Sequence, residues 1–184
     1  MVLAPALAAT LTILALPCWA QKVRLATSAG DIVIELEAQK APKTVANFLQ
    51  YVRAGHYDGT VFHRVIEKFM IQGGGYNAGL QEKPVKAPIA LESRTGLSNV
   101  RGTVAMARTG NPDSATAQFF VNVVDNTFLD QPNARDGHGY AVFGKVVEGM
   151  DVVDKIRAMP TQPAGEHQNL PVTAVTLRKA TVEK

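Results

Sequence analysis

Two periodicities share this chain. Val23-Arg24-Leu25-Ala26-Thr27 alternates apolar and polar, and Ser28-Ala29-Gly30-Asp31 supplies turn residues. Ile32-Val33-Ile34-Glu35-Leu36 then alternates again, so the stretch predicts a β-hairpin. Pro42 opens a helix at its first turn, where a missing N–H costs little. Val45, Phe48, Leu49 and Val52 fall at i, i+3, i+4 and i+7, which makes one apolar face, and Gly55 ends the helix. From Thr60 to Gln72 the strand-like period returns. Strict alternation puts Phe62, Arg64 and Ile66 on one face and Val61, His63 and Val65 on the other.

Gly73-Gly74-Gly75 reads as a turn, and residues 73–102, rich in Gly, Pro and polar side chains, as a long ordered loop. Residues 103–107, 119–123 and 140–147 look like further strands, and residues 172–182 like a closing one. Residues 150–159 offer a second helix with Val153 and Ile156 inward. Many short strands with two helices predict a mostly-β fold, a closed antiparallel barrel with the helices over its open ends.

Residues 1–20 belong to a different kind of sequence. They contain no charged side chain and end in Cys18-Trp19-Ala20, with small residues where a signal peptidase inspects. The expectation is a secretory signal peptide over residues 1–20, cleaved after Ala20, and one domain over residues 21–184. A membrane anchor fits less well, because the apolar run is shorter than the ~20 residues that span a bilayer. A lipoprotein signal ending at Cys18 is the alternative, which Pro17 fits badly. Cys18 is the one cysteine in the chain, so cleavage after Ala20 leaves no thiol and no disulfide.

Composition narrows the chemistry. The 184 residues, 46% hydrophobic and 19% charged, fit one domain with a full core. The net charge of +3 comes from scattered residues, without the Lys/Arg run of a phosphate-tracking surface, so no nucleic-acid partner is expected. His56, His63, His138 and His167 show no i, i+4 pairing, and no metal site is expected. There is no Gly-x-Ser-x-Gly elbow, and the glycine run does not extend to a P-loop or dinucleotide pattern.

Phe62-His63-Arg64, followed by Phe69-Met70-Ile71-Gln72, sets an arginine and a glutamine among large apolar side chains. A guanidinium is always charged and seldom sits in such company unless something there needs its donors. A second apolar run, Gln118-Phe119-Phe120-Val121-Asn122-Val123, lies downstream. Together they predict a greasy pocket with one fixed cation, a few amides and no nucleophile. Such a site suits a neutral group whose electrons must be redistributed. The bland role for Arg64 is a structural salt bridge, yet the only local carboxylate in the strand pattern is Glu67. Phe69, Met70, Phe119, Phe120, Phe128 and Leu129 are each candidates for pocket or core, and periodicity does not separate them.

Phe62 to Ile66, Phe69 to Gly74, Gly102 to Ala107, Ser114 to Phe120 and Val142 to Val146 resemble the corresponding motifs of the cyclophilins, the peptidyl-prolyl isomerases. The likeness runs from Val23 to the C-terminus with the motifs in order, and is greatest to the exported bacterial branch. The resemblance implies an eight-stranded antiparallel barrel with two capping helices and a proline-binding groove on its outer surface. It makes Arg64 the catalytic arginine and Gln72 its polar neighbour. Phe69, Met70, Phe120 and Leu129 become the proline pocket, and the backbone around Ala107 and Arg108 holds the substrate chain. Phe128 stands where many eukaryotic members carry a tryptophan that contacts cyclosporin, so only weak cyclosporin binding is implied. Tyr140 stands where they carry a histidine beside the proline ring. The implied partners are unfolded or partly folded polypeptides containing proline, in the periplasm. No cofactor is implied, no membrane association after processing, and the protein is expected to be a monomer. Two other classes stay open on the residues alone: a binding module that holds unfolded chains without catalysis, and a structural surface protein.

Overall fold

In the computed structural model, which describes residues 21–183, the first alternating runs form a hairpin of β1 (Lys22–Thr27) and β2 (Gly30–Leu36). The leader expected over residues 1–20 lies outside the described residues. Val23 and Leu25 are buried and alternate with more exposed neighbours, as period two requires. Helix α1 (Pro42–Arg53) begins at its proline and buries Val45, Phe48, Leu49 and Val52. There follow β3 (Thr60–Ile66), β4 (Met70–Asn77), β5 (Thr103–Met106), β6 (Phe119–Asn122) and β7 (Val142–Glu148). Helix α2 (Met150–Arg157), β8 (Thr161–Ala164), β9 (His167–Pro171) and β10 (Thr176–Glu183) complete the chain.

Eight strands close a barrel in the order β1-β10-β3-β4-β6-β5-β7-β2, every neighbouring pair antiparallel. Closure leaves the barrel itself, among the described residues, without an open edge for a second chain to extend. Phe48 of α1 reaches into the interior, with ring centroids 5.0 Å from Phe143, 5.2 Å from Tyr57 and 5.7 Å from Phe119. Val153 and Ile156 of α2 join the same core. Each such buried side chain contributes about 1.5–3 kcal/mol over its exposed state, so both helices are held by packing.

A second, smaller cluster lies on the other face of part of the same sheet: Met70, Ala105, Phe120, Leu129 and Val142. It explains the apolar run Phe119–Val121 in β6, where Phe119 packs into the main core and its neighbour Phe120 into this outer cluster. A strand covered on both faces has no polar side to show.

Three local expectations are corrected. Phe62 and Arg64 do not share a face. Phe62 pairs with Gly73 and Arg64 with Gln72, so β3 carries one extra residue there, a β-bulge. Phe62 and Val65 therefore both enter the main core, while Arg64 is turned outward. Gly73-Gly74-Gly75 is not a turn but the middle of β4. Gly74 has φ +86°, and a Cβ at Gly75 would lie 2.6 Å from the Gln118 side chain, so bare backbone is what lets Gln118 lie across the strand. The closing strand starts at Thr176, and before it stands the β8–β9 hairpin, which the hydrophobic pattern did not signal.

Candidate active site

The bulge in β3 and the short connection to β4 bring a cation to the rim of the outer apolar cluster. There the surface opens into a groove of about 530 Å³. Arg64 comes from β3, Met70 and Gln72 from β4, and Phe120 from β6. Leu129, in the 3-10 turn Thr127–Leu129, and Tyr140, just before β7, complete the far wall. Met70 and Phe120 are buried and form the floor, and Tyr140 meets Phe120 edge-on at 5.7 Å. Phe69 stands at the rim beneath the guanidinium, whose carbon lies 5.8 Å from the ring centroid.

Arg64 has one polar side-chain partner among the described residues. Its Nη1 donates to Gln72 Oε1 at 3.2 Å, and Gln72 Nε2 donates to Gln118 Oε1 at 2.9 Å. No carboxylate among the described residues pairs with it, so the remaining guanidinium donors are uncommitted. The salt-bridge role for this arginine is thereby set aside. A charged fork with spare donors over an apolar floor can bind a neutral, weakly basic atom, but it offers no nucleophile.

The sequence profile of the family described as "Cyclophilin type peptidyl-prolyl cis-trans isomerase/CLD" matches residues 22–182. This chain belongs to the cyclophilin-type peptidyl-prolyl cis-trans isomerases. A peptidyl-prolyl cis-trans isomerase of Streptomyces antibioticus is 56% identical over 161 residues, 87% of this chain and 97% of that one. Peptidyl-prolyl cis-trans isomerase A of Dickeya dadantii is 49% identical over 186 residues, covering 97% of each chain. Among solved structures, a Cryptosporidium parvum cyclophilin crystallised in the presence of the dipeptide Ala-Pro superposes with a TM-score of 0.73 at 25% identity. That match covers 89% of this chain and 99% of that one. As a member of this family the protein is a peptidyl-prolyl isomerase.

Nine of the ten side chains singled out in the sequence line the groove of this isomerase, Ala107 and Arg108 included; Phe128 does not. It is 56% exposed, stacks on Phe69 at 5.8 Å, and borders a neighbouring hollow of about 610 Å³. Ala107 spends its N–H on Gln118 O at 3.0 Å, continuing the pairing of β5 with β6. The Arg108 backbone N–H and C=O have no partner among the described residues and remain available to a bound chain.

The Arg108 side chain has a role that the sequence did not announce. Its side chain is only 2% exposed, and its guanidinium carbon lies 4.4 Å from the Tyr140 ring centroid. Nε and Nη2 donate to Gly139 O at 2.9 and 2.7 Å, Nη1 donates to Thr109 O at 2.9 Å, and Nη2 pairs with Asp136. Asp136 in turn accepts from the backbone of His138 and Gly139 at 2.9 and 3.2 Å. The Arg108 guanidinium first, and then these N–H groups, hold the Asp136 carboxyl well below the usual carboxylate range. The loop that presents Tyr140 is thus stapled from below by a buried cation.

A buried amide network, also missed, sets the opposite wall. Asn126 Nδ2 donates to Phe69 O and to Asn122 Oδ1, both at 2.8 Å, and Asn122 Nδ2 donates to Asn99 Oδ1 at 3.2 Å. Asn99 reaches Asp130 Oδ1 through its backbone N–H at 2.7 Å and its Nδ2 at 2.9 Å. The carbonyl of Phe69 and the residue after Leu129 are tied into one frame.

Proposed function

We propose that Arg64 catalyses rotation about X-Pro bonds by donating to the proline nitrogen, while Phe69, Met70, Phe120, Leu129 and Tyr140 hold the ring. The observation that carries this reading is the uncommitted guanidinium above an apolar floor. An amide resists rotation by ~18–20 kcal/mol because nitrogen shares its lone pair with the carbonyl. Twisting the bond halfway localises that pair on nitrogen. A donor aimed there gains strength only in the twisted state, and that is differential binding of the transition state.

A hydrogen bond to a charged group nets ~1.5–3 kcal/mol, and each ~1.4 kcal/mol is a factor of ten in rate. One arginine therefore supplies part of the acceleration. The rest comes from a site that fixes the ring and keeps water from the twisted bond while the preceding carbonyl swings. Gln72 accepts from Arg64 and donates to Gln118, so it orients the guanidinium without competing for charge. No covalent intermediate and no cofactor enter this scheme. The decisive test is turnover of a proline peptide by mature protein beside an Arg64→Ala variant.

We further propose that the enzyme serves exported, folding polypeptides in the periplasm, as a monomer. Support comes from the uncharged residues 1–20 and from a family match that starts at residue 22, where β1 also begins. Intact-mass analysis of protein from the native host is expected to show a chain starting at Gln21 without lipid. A diacylated chain starting at Cys18, or a chain retaining residues 1–20, would overturn the proposal.

Cyclosporin is expected to inhibit weakly. Indole brings a large apolar face and an N–H donor, the latter worth ~0.5–1.5 kcal/mol. Phe128 has the smaller face and no donor. Because Phe128 is exposed beside the groove, a larger ring there meets little obstruction. Phe128→Trp is expected to tighten cyclosporin about tenfold, one decade per ~1.4 kcal/mol, with peptide turnover little changed. Tight binding by the unmodified protein in a competition titration would count against this position.

A further inference from the structure

Gln72 and Gln118 form a low ridge, and beyond it lies a second cavity of about 250 Å³ that shares Arg64 and Gln72 with the proline groove. Its floor is the buried His63 ring, only 4% exposed. Tyr76 packs edge-on against His63 at 4.6 Å, and His167 meets Tyr76 at 4.8 Å, so three rings surround one space. The outer wall is the β8–β9 turn, which brings Glu166 and His167.

The charges in this space are unequal. Arg64 stands on the ridge, drawn toward Gln72 and Phe69. The far side carries one carboxylate, Glu166; after partial burial, it and Glu82, which lies near Tyr76 but outside the cavity lining, push Tyr76 up. Neither carboxylate has an ion-pair partner among the described residues. His63 is pushed down to about 4, by burial first and then by His167 and Arg64, so it adds no positive charge near neutral pH. Amide oxygens of the ridge, the unpaired Glu166 carboxylate and aromatic faces together suit a cation that carries N–H donors.

We propose that this second cavity is a subsite for a basic side chain, Lys or Arg, carried by the substrate within a residue or two of the isomerising proline. The shared Arg64 and Gln72 put the two spaces within reach of one extended chain, which advances ~3.3 Å per residue. The proposal rests on the proline groove being the reaction site. It adds a preference for basic flanking sequence that the groove itself, with its apolar floor, does not supply.

The test uses peptides with one X-Pro bond and Lys, Ala or Glu placed in turn at each flanking position. Exchange is followed by NMR, because a coupled protease would impose its own preference. At one flanking position Lys is expected to exceed Ala by about threefold to fivefold in kcat/KM, mainly through KM, the size of a solvated ion pair. Glu is expected to fall below Ala there. In Glu166→Lys the Lys-to-Ala ratio is expected to drop to about one or invert. Binding of the Lys peptide is also expected to shift the His167 ring resonances more than binding of the Ala peptide does. Equal turnover of the three peptides at every position, or a Lys preference that survives Glu166→Lys, overturns the subsite. Failure of the catalytic reading looks different: Arg64→Ala would then turn over the Ala peptide as well as the unmodified enzyme does.

Discussion

Arg64→Ala is expected to lower kcat/KM by about 10²–10³, the loss typical when one preorganised transition-state donor is removed. The barrel is expected to survive the change. Arg64 is exposed, its one polar side-chain partner among the described residues is Gln72, and its neighbours Phe62 and Val65 carry the packing of β3. Arg64→Lys is expected to remain badly impaired. An ammonium is a point charge on a flexible stem and cannot both donate to Gln72 and present a second donor in a fixed plane. Single-turnover and steady-state measurements on prolyl peptides, with circular dichroism to verify folding, check this. Near-normal turnover by a folded Arg64→Ala protein would sink the assignment.

That expectation depends on a geometry only partly legible in the sequence. Helix α1 was legible because Val45, Phe48, Leu49 and Val52 repeat at the helical period and Pro42 marks the start. The identity of the groove residues came through motif resemblance, since Phe119 and Phe120 look alike as letters while one enters the core and the other the groove. The outward turn of Arg64 was not legible. It depends on one extra residue in β3 opposite β4, and the letters around His63 give no period that would reveal it: Val61 and Phe62 are apolar, His63 and Arg64 polar, Val65 and Ile66 apolar again. The β8–β9 hairpin gave no signal because, apart from Pro171, its strand residues are exposed or half-buried and most are polar, which leaves no apolar period. The brace under Tyr140 joins Arg108 to Asp136 and Gly139 across 28 and 31 positions of sequence. No local pattern reports a partner that distant. Contacts made by closing a barrel are long-range by construction, and single-chain reading sees only the faces that will be covered.

Acidification is expected to destabilise the enzyme through His63 before the carboxylates titrate. The ring is buried under Tyr76 and His167, and its Nδ1 has no hydrogen-bond partner among the described residues. Burial, with the nearby His167 and Arg64, lowers it from 6.5 to about 4. Between these two values the unfolded chain binds a proton that the folded chain refuses, so stability rises with pH across that window. The contribution is fully present above pH 6.5 and lost as pH falls toward 4. A shift of this size corresponds to about 3 kcal/mol, a large part of the stability of a single domain. His56 is lowered as well, by burial first, and adds to the slope in the same direction. The lowered carboxyls of Asp136 and Asp154 act later, since their contribution is lost only as pH falls below the ordinary carboxylate range. Urea unfolding at pH 7 and pH 4.5 is therefore expected to show a steep loss in the unmodified protein and a clearly shallower one in His63→Gln. The comparison is of slopes, so a constant destabilisation by the substitution does not disturb it. Identical slopes in the two proteins would mean that His63 is protonated in the folded barrel, and that the aromatic floor of the second cavity admits a charge.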